Sequence, residues 1–155
     1  MGINSVPPAT PKTRFITTLT SGTSWSVPAG VTYVNVTLRG GSGGTAYQTP
    51  GRAGGGQVIM SNTTVTPGGT VTYAIGAGGT AGTGGSSSGG AGGTTTFTGA
   101  TSATGGAGGV YGATIGQAYA ATENNSVDNS PYAKGTSGAN GVVGGAGSID
   151  VEYWA

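Results

Sequence analysis

Gly76 to Gly93 reads GAGGTAGTGGSSSGGAGG. It holds no large side chain and no charge, so nothing in it can build a hydrophobic core. Shorter tracts of the same kind recur at Gly40–Gly44, Gly54–Gly56, Gly105–Gly109 and Gly144–Gly147. The fold turns on whether these glycines are slack loops or a second kind of ordered structure. Freezing a glycine costs roughly 0.5–1 kcal/mol more than freezing an alanine, which over 36 glycines is on the order of 20–35 kcal/mol as an upper bound. Order therefore needs compensation. Polyproline-II geometry supplies a route: three residues per turn and no internal hydrogen bonds, so every N–H and C=O points outward for a neighbouring tract. Close packing demands glycine at the contacts, while Ala, Ser and Thr fit outward positions. Tracts of similar length recurring between strands favour this packed arrangement over flexible loops.

The segments between the tracts alternate with period two. Arg14–Ser21 places Phe15, Thr17 and Leu19 on one face and Ile16 and Thr18 on the other. Ser24–Val27 is short and ends at Pro28-Ala29-Gly30. Val31–Arg39 sets Val34, Val36 and Leu38 against Tyr33, Asn35 and Thr37, the strongest strand signal in the chain. Gln57–Thr66 and Thr70–Ile75 flank Pro67-Gly68-Gly69, which reads as a hairpin turn. Thr94–Thr98 carries Phe97. Ser148–Trp154 sets Ile149, Val151 and Tyr153 against Asp150 and Glu152. No segment has a 3.6-residue period, so essentially no α-helix is expected. The expected fold is all-β: a small β-sandwich with long glycine-rich loops packed as polyglycine-II-like helices. Its expected core is Phe15, Leu19, Trp25, Val27, Val34, Val36, Leu38, Ile59, Val71, Tyr73, Ile75, Phe97, Ile149, Val151 and Tyr153. Residues 1–13, with Pro7, Pro8 and Pro11, read as an extended arm, the joint to something N-terminal, and 14–155 as one glycine-rich domain.

Composition narrows the function classes. Net charge is +1 with 6% charged residues, which gives no handle for nucleic acid or a membrane surface. No apolar run suits membrane insertion. The chain has no Cys and no His, so a disulfide framework, a thiolate or imidazole metal site and a histidine-based triad are all absent. Asp150 and Glu152 could form a glycosidase-like pair, but a solvated strand face explains them more simply. The run Asn124–Asn129 lacks EF-hand spacing and reads as a polar loop, not a cation site. Gly40–Gly44 is followed by no Gly-Lys-Ser/Thr, which removes a phosphate loop. No catalytic residue, cofactor or metal is expected.

Val110–Asn140 differs in kind. It gathers Tyr111, Tyr119, Tyr132, Asn124, Asn125, Asp128 and Lys134. Regular glycine tracts expose mainly backbone and methyl groups, so chemical variety for recognition must come from here, with Tyr47 and Arg52 of the first glycine loop as further contributors. Tyrosine joins a large contact area to a hydroxyl, and amides and carboxylates can bond sugar hydroxyls. These nine residues are the candidate binding set.

Several stretches carry a resemblance. Gly22–Val36, GTSWSVPAGVTYVNV, followed by a glycine burst, resembles the opening of the glycine-rich domain of phage tail fibres and tail-tip adhesins. Thr64–Gly79, Gly93–Phe97 and Ala103–Gly109 resemble its later segments. The resemblance covers about Arg14 to Trp154 and is weakest over Val110–Asn140. It implies a β-sandwich with glycine-rich loops at the distal tip of a fibre, a homotrimer joined to a fibre shaft at its N-terminal side. The tip would bind a host surface polysaccharide or outer-membrane protein without catalysis. The protein would be made in the host cytoplasm and act outside the cell on the virion. A purely structural tip domain and a capsule depolymerase are the alternative readings.

Overall fold

The computed structural model describes residues 11–47, 53–112 and 141–155. Seven strands form among them: β1 (Arg14–Leu19), β2 (Ser24–Ser26), β3 (Tyr33–Arg39), β4 (Val58–Thr64), β5 (Thr70–Ala74), β6 (Thr96–Phe97) and β7 (Ser148–Trp154). They make two antiparallel sheets, one of four strands in the order β1-β7-β3-β4 and one of three in the order β2-β5-β6. No helix occurs among the described residues.

The alternation seen in the sequence sets the layers. Val36 lies opposite Val151, and Leu38 opposite Ile149, so β3 and β7 bury one continuous apolar face. Trp25, Tyr73 and Phe97 of the smaller sheet close over it, with Trp25 tilted against both Phe97 and Tyr153. Val31 and Ala103 complete the core; Val31 falls on the opposite parity from Val34, Val36 and Leu38 in the Val31–Arg39 run, and Ala103 lies in a glycine tract, so period two points to neither. Phe15, expected inside, is 44% exposed and stacks on Tyr153 at 5.4 Å between ring centroids. It lies on the edge strand β1, and the three short strands of the second sheet do not extend far enough to cover it.

Pro67-Gly68-Gly69 is a turn, with Gly68 at φ 70° and the Gly69 N–H donating to the Thr66 carbonyl. It does not close a hairpin. β4 pairs with β3 and β5 with β2, so the turn is a corner that carries the chain from one sheet to the other. Hydrogen bonds between Val27 and the Gly68–Gly69 turn fix that corner. The β5 face bearing Tyr73 finds its apolar partners opposite the large sheet, and that burial decides the pairing over sequence proximity.

The glycine tracts are ordered. Tract 40–46 runs on from the end of β3 and is buried along its whole length. Around it stand tracts 53–57, 76–82, 87–93, 103–109 and 141–147. Donors of the central tract repeat with period three. Gly40 and Gly43 donate to Gln57 and Gly54. Gly41, Gly44 and Tyr47 donate to Gly93, Gly90 and Ser87. Ser42 and Thr45 donate to Gly145 and Val142. Its carbonyls accept in the same period: Gly41 and Gly44 from Gly106 and Gly109, and Ser42 and Thr45 from Gly79 and Gly82. The surrounding tracts bond to one another in turn, as in Gly90 to Thr80, Gly92 to Gly106 and Gly144 to Gly79. A three-residue repeat of outward backbone bonds is the signature of the polyproline-II helix.

Burial in the outer tracts follows the same period. Gly76, Gly79 and Gly82 are buried, as are Ala103, Gly106 and Gly109, while Ala77, Thr80, Thr104 and Ala107 are exposed. A β-carbon at Gly92 would collide with the Gly41 carbonyl, at Gly78 with that of Gly144, and at Gly106 with that of Gly54. The stretch Gly76–Gly93 is therefore two tracts joined by a turn at Gly84 and Gly85, which take φ of 70° and 57° and have open space around them.

Three buried hydroxyls add side-chain bonds to this network, one at the junction with the sandwich and two inside the bundle. Thr95 Oγ1 donates to the Arg39 carbonyl at 2.7 Å and accepts from the Gly76 N–H at 2.9 Å, where strand β3 becomes glycine tract. Ser42 and Thr45, three residues apart and facing tract 141–147, accept from the N–H groups of Gly145 and Val142 at 2.7 and 2.6 Å.

Candidate functional site

The direction of each tract decides where its loops emerge. Tract 40–46 leaves the sandwich and 53–57 returns to it; 76–82 leaves and 87–93 returns; 103–109 leaves and 141–147 returns. At the sandwich end, Gly40 bonds Gln57, Gly41 bonds Gly93 and Gly147 bonds Gly76. At the other end, Tyr47 bonds Ser87, Gly82 bonds Thr45, and Gly141 bonds Ala46. Seven residues at the 3.1 Å rise of such a helix set the two ends about 20 Å apart. The exits of all three connections, at Tyr47 and Ala53, at Gly82 and Ser87, and at Gly109 and Gly141, thus gather at one distal tip.

Two of the sequence-derived candidates are described, and both stand at this tip. The Tyr47 N–H donates to the Ser87 carbonyl at 3.0 Å, and the Tyr111 N–H to the Ser88 hydroxyl at 3.0 Å. Adjacent serines of one returning tract therefore anchor the backbone of both tyrosines. Tyr47 is half-buried; Tyr111 and Val110 are exposed. Arg52, Tyr119, Asn124, Asn125, Asp128, Tyr132 and Lys134 lie outside the described residues. The sequence carries no signal for this role of Ser87 and Ser88 beyond the Ser86–Ser88 run that interrupts the glycines.

The tip residues described are neutral. The described charges beyond Lys12 all lie in the sandwich, on β1, β3 and β7 of the larger sheet. Arg14 donates to the Glu152 carboxylate, which also accepts from Asn35. Arg39 bonds Asp150 at 2.8 Å and Ser148 at 3.3 Å, and Thr18 donates to Asp150 at 2.7 Å. The bond from Arg14, then that from Asn35, hold the Glu152 carboxyl below the ordinary carboxylate range. Both strand carboxylates are thus engaged in ion pairs. Among the described residues, no group of three His, Cys, Asp or Glu side chains could hold a metal ion, and no helix is long and apolar enough to cross a membrane.

The sequence has a counterpart among known families. The model of a glycine-rich domain matches residues 17–153. The chain belongs to that glycine-rich domain family. The match runs from within β1 to within β7 and spans all six tracts. A search of curated proteins returned no match to this sequence.

Proposed function

We infer that this glycine-rich domain is the distal receptor-binding domain of a phage tail fibre, attaching the virion to a polysaccharide or outer-membrane protein on the host surface. One observation carries the reading: three out-and-back pairs of tracts deliver every distal loop exit to a single tip, backed by a hydrogen-bonded scaffold. Binding residues on loops held by a rigid scaffold are a general solution to recognition. Two of the three connections at this tip, 48–52 and 110–140, carry amides and charge in their sequences, and the longer one carries tyrosines. The action is binding alone. The chain has no histidine, and each of its strand carboxylates is held in an ion pair. The resemblance to tail-fibre tips adds that the domain works as a homotrimer on a fibre shaft, outside the cell, after synthesis in the host cytoplasm.

The test is adsorption. The purified chain, added in excess, should block virion attachment to susceptible cells. Tyr47→Ala, Tyr111→Ala, Tyr119→Ala and Tyr132→Ala with Asn125→Ala should each keep the thermal midpoint, and at least one should lose most of the block. A folded chain that never competes would overturn the receptor role and leave a structural tip domain. Light scattering reads the trimer separately.

A further inference from the structure

We propose that the outer face of the four-stranded sheet is a second binding site, for a neutral saccharide, at the end of the molecule opposite the tip. Strand alternation and register place Asn35, Thr37, Met60, Asn62 and Glu152 on this face. A groove of about 250 Å³ lies among them, also touched by Val36 and Ser61. Its size falls below the roughly 300–1,000 Å³ of pockets for drug-sized molecules and suits one or two sugar rings.

The chemistry of the lining selects the ligand. Asn62 is exposed beside Asn35 in the pairing of β3 with β4, and Glu152 lies opposite Asn35 in the pairing with β7. The Asn35 amide N–H already donates to Glu152, so the row offers the Asn62 amide, the Asn35 side-chain oxygen and the spare lone pairs of the Glu152 carboxylate, which between them donate to and accept from hydroxyl groups. Arg14 neutralises Glu152, so the groove offers no net charge to attract an ion of either sign. An apolar surface stands alongside: Met60 is 81% exposed. Two residues further along their strands, Tyr33 and Trp154 are on the same face and partly exposed, about 7 Å from the amide row. Aromatic surface for C–H groups next to amides for hydroxyls is the pairing that a pyranose ring requires and that an ion or a purely apolar ligand does not use.

The groove is separate from the tip, so the assignment survives or fails independently of the receptor reading. The experiment follows the side-chain amide and backbone signals of the whole chain by NMR as neutral trisaccharides of glucose, galactose, mannose and N-acetylglucosamine are added singly to about 10 mM, a range that reaches millimolar affinities. At least one should shift Asn35, Asn62 and Tyr33 saturably while leaving Tyr47 and Tyr111 in place. Asn62→Ala and Tyr33→Ala, both exposed and expected to fold, should each weaken that binding about tenfold, whereas Tyr111→Ala should not change it. Three results would overturn the site: no shift with any of the four sugars, shifts that persist in both groove variants, or the same shifts produced by raising the protein concentration alone, which would make the face a contact between copies.

Discussion

The sandwich and the glycine bundle solve the same problem with opposite materials. In the sandwich, side chains such as Leu38, Ile149 and Phe97 are removed from water, and backbone bonds within each sheet follow from that packing. In the bundle there are almost no side chains to bury. Tract 40–46 is buried at every position, where β3 is buried mainly on one face, yet Ser42, Thr45 and Ala46 are the tract's only residues with side chains. Its compensation is a backbone bond in nearly every outward direction, at 2.7 to 3.2 Å throughout the bundle. Each such bond contributes only about 0.5–1.5 kcal/mol net, but leaving one unmade in a buried place costs about 1–3. The sandwich should therefore suffer when atoms are taken away, and the bundle when atoms are added.

The largest effect expected is the addition of a β-branched side chain where tract meets tract. Gly78→Val, Gly92→Val and Gly106→Val each push a carbon into a neighbouring carbonyl, and backbone cannot rotate aside as a side chain can. Each should cost more than about 4 kcal/mol, at the exceptional end for a single substitution. A thermal melt should show the cooperative transition lost or greatly lowered. The control is Ala107→Val on an exposed outer row, which should stay within about 0.5 kcal/mol of the parent. Equal tolerance of all four variants would erase the distinction between the two regions.

Next in size is truncation in the sandwich. Leu38 is fully buried between β4 and β7, so Leu38→Ala should cost roughly 2–4 kcal/mol through lost burial and the cavity left behind. Denaturant midpoints measure it. The boundary between the regions ranks below that. Thr95→Val keeps the shape but leaves the Gly76 N–H and the Arg39 carbonyl without the hydroxyl between them, for about 1–3 kcal/mol. Hydrogen exchange should then accelerate at Gly76 more than at Val36.

The smallest effect is electrostatic and belongs to the sandwich alone. The Glu152 carboxyl has its pKa lowered in the fold by Arg14 and Asn35. Its contribution is therefore present above the unfolded glutamate value of about 4.3 and is lost as pH falls through the lower folded value. The pair is partly exposed to solvent and salt, so the change is slight. Comparing thermal midpoints of the parent and Glu152→Gln between about pH 2 and pH 5 should show a shallower acid slope in the variant. Identical slopes would remove Glu152 from the acid response.

Legibility in the sequence divides along the same line. Strands with period two were readable because Val34, Val36 and Leu38, or Ile149, Val151 and Tyr153, declare their buried face one residue in two. The spacing of glycines likewise indicated packed tracts. What it could not supply was their partners: a glycine row has no side chain to specify a neighbour, and Gly92 finds Gly41 and Gly106 only through the directions set by the sandwich. The corner at Pro67-Gly68-Gly69 reads as a hairpin in the sequence because the turn chemistry is the same whichever sheet the chain enters next. Phe15 was misplaced because edge position depends on the reach of the other sheet. At the tip, Tyr47 and Tyr111 were legible as candidates from residue type, but their common anchorage on Ser87 and Ser88 depends on how far each tract runs.

Amide hydrogen exchange along tract 40–46 in the intact chain tests the account most directly. The N–H groups of Gly41, Ser42, Gly43, Gly44 and Thr45 each donate to a different residue of a surrounding tract. They should exchange within about tenfold of the rates at Val36 and Leu38 in β3, since both sets open only when the core opens. Exchange as fast as at the exposed turn residues Gly84 and Gly85 would contradict the account, leaving a sandwich with loose glycine loops in place of a hydrogen-bonded bundle.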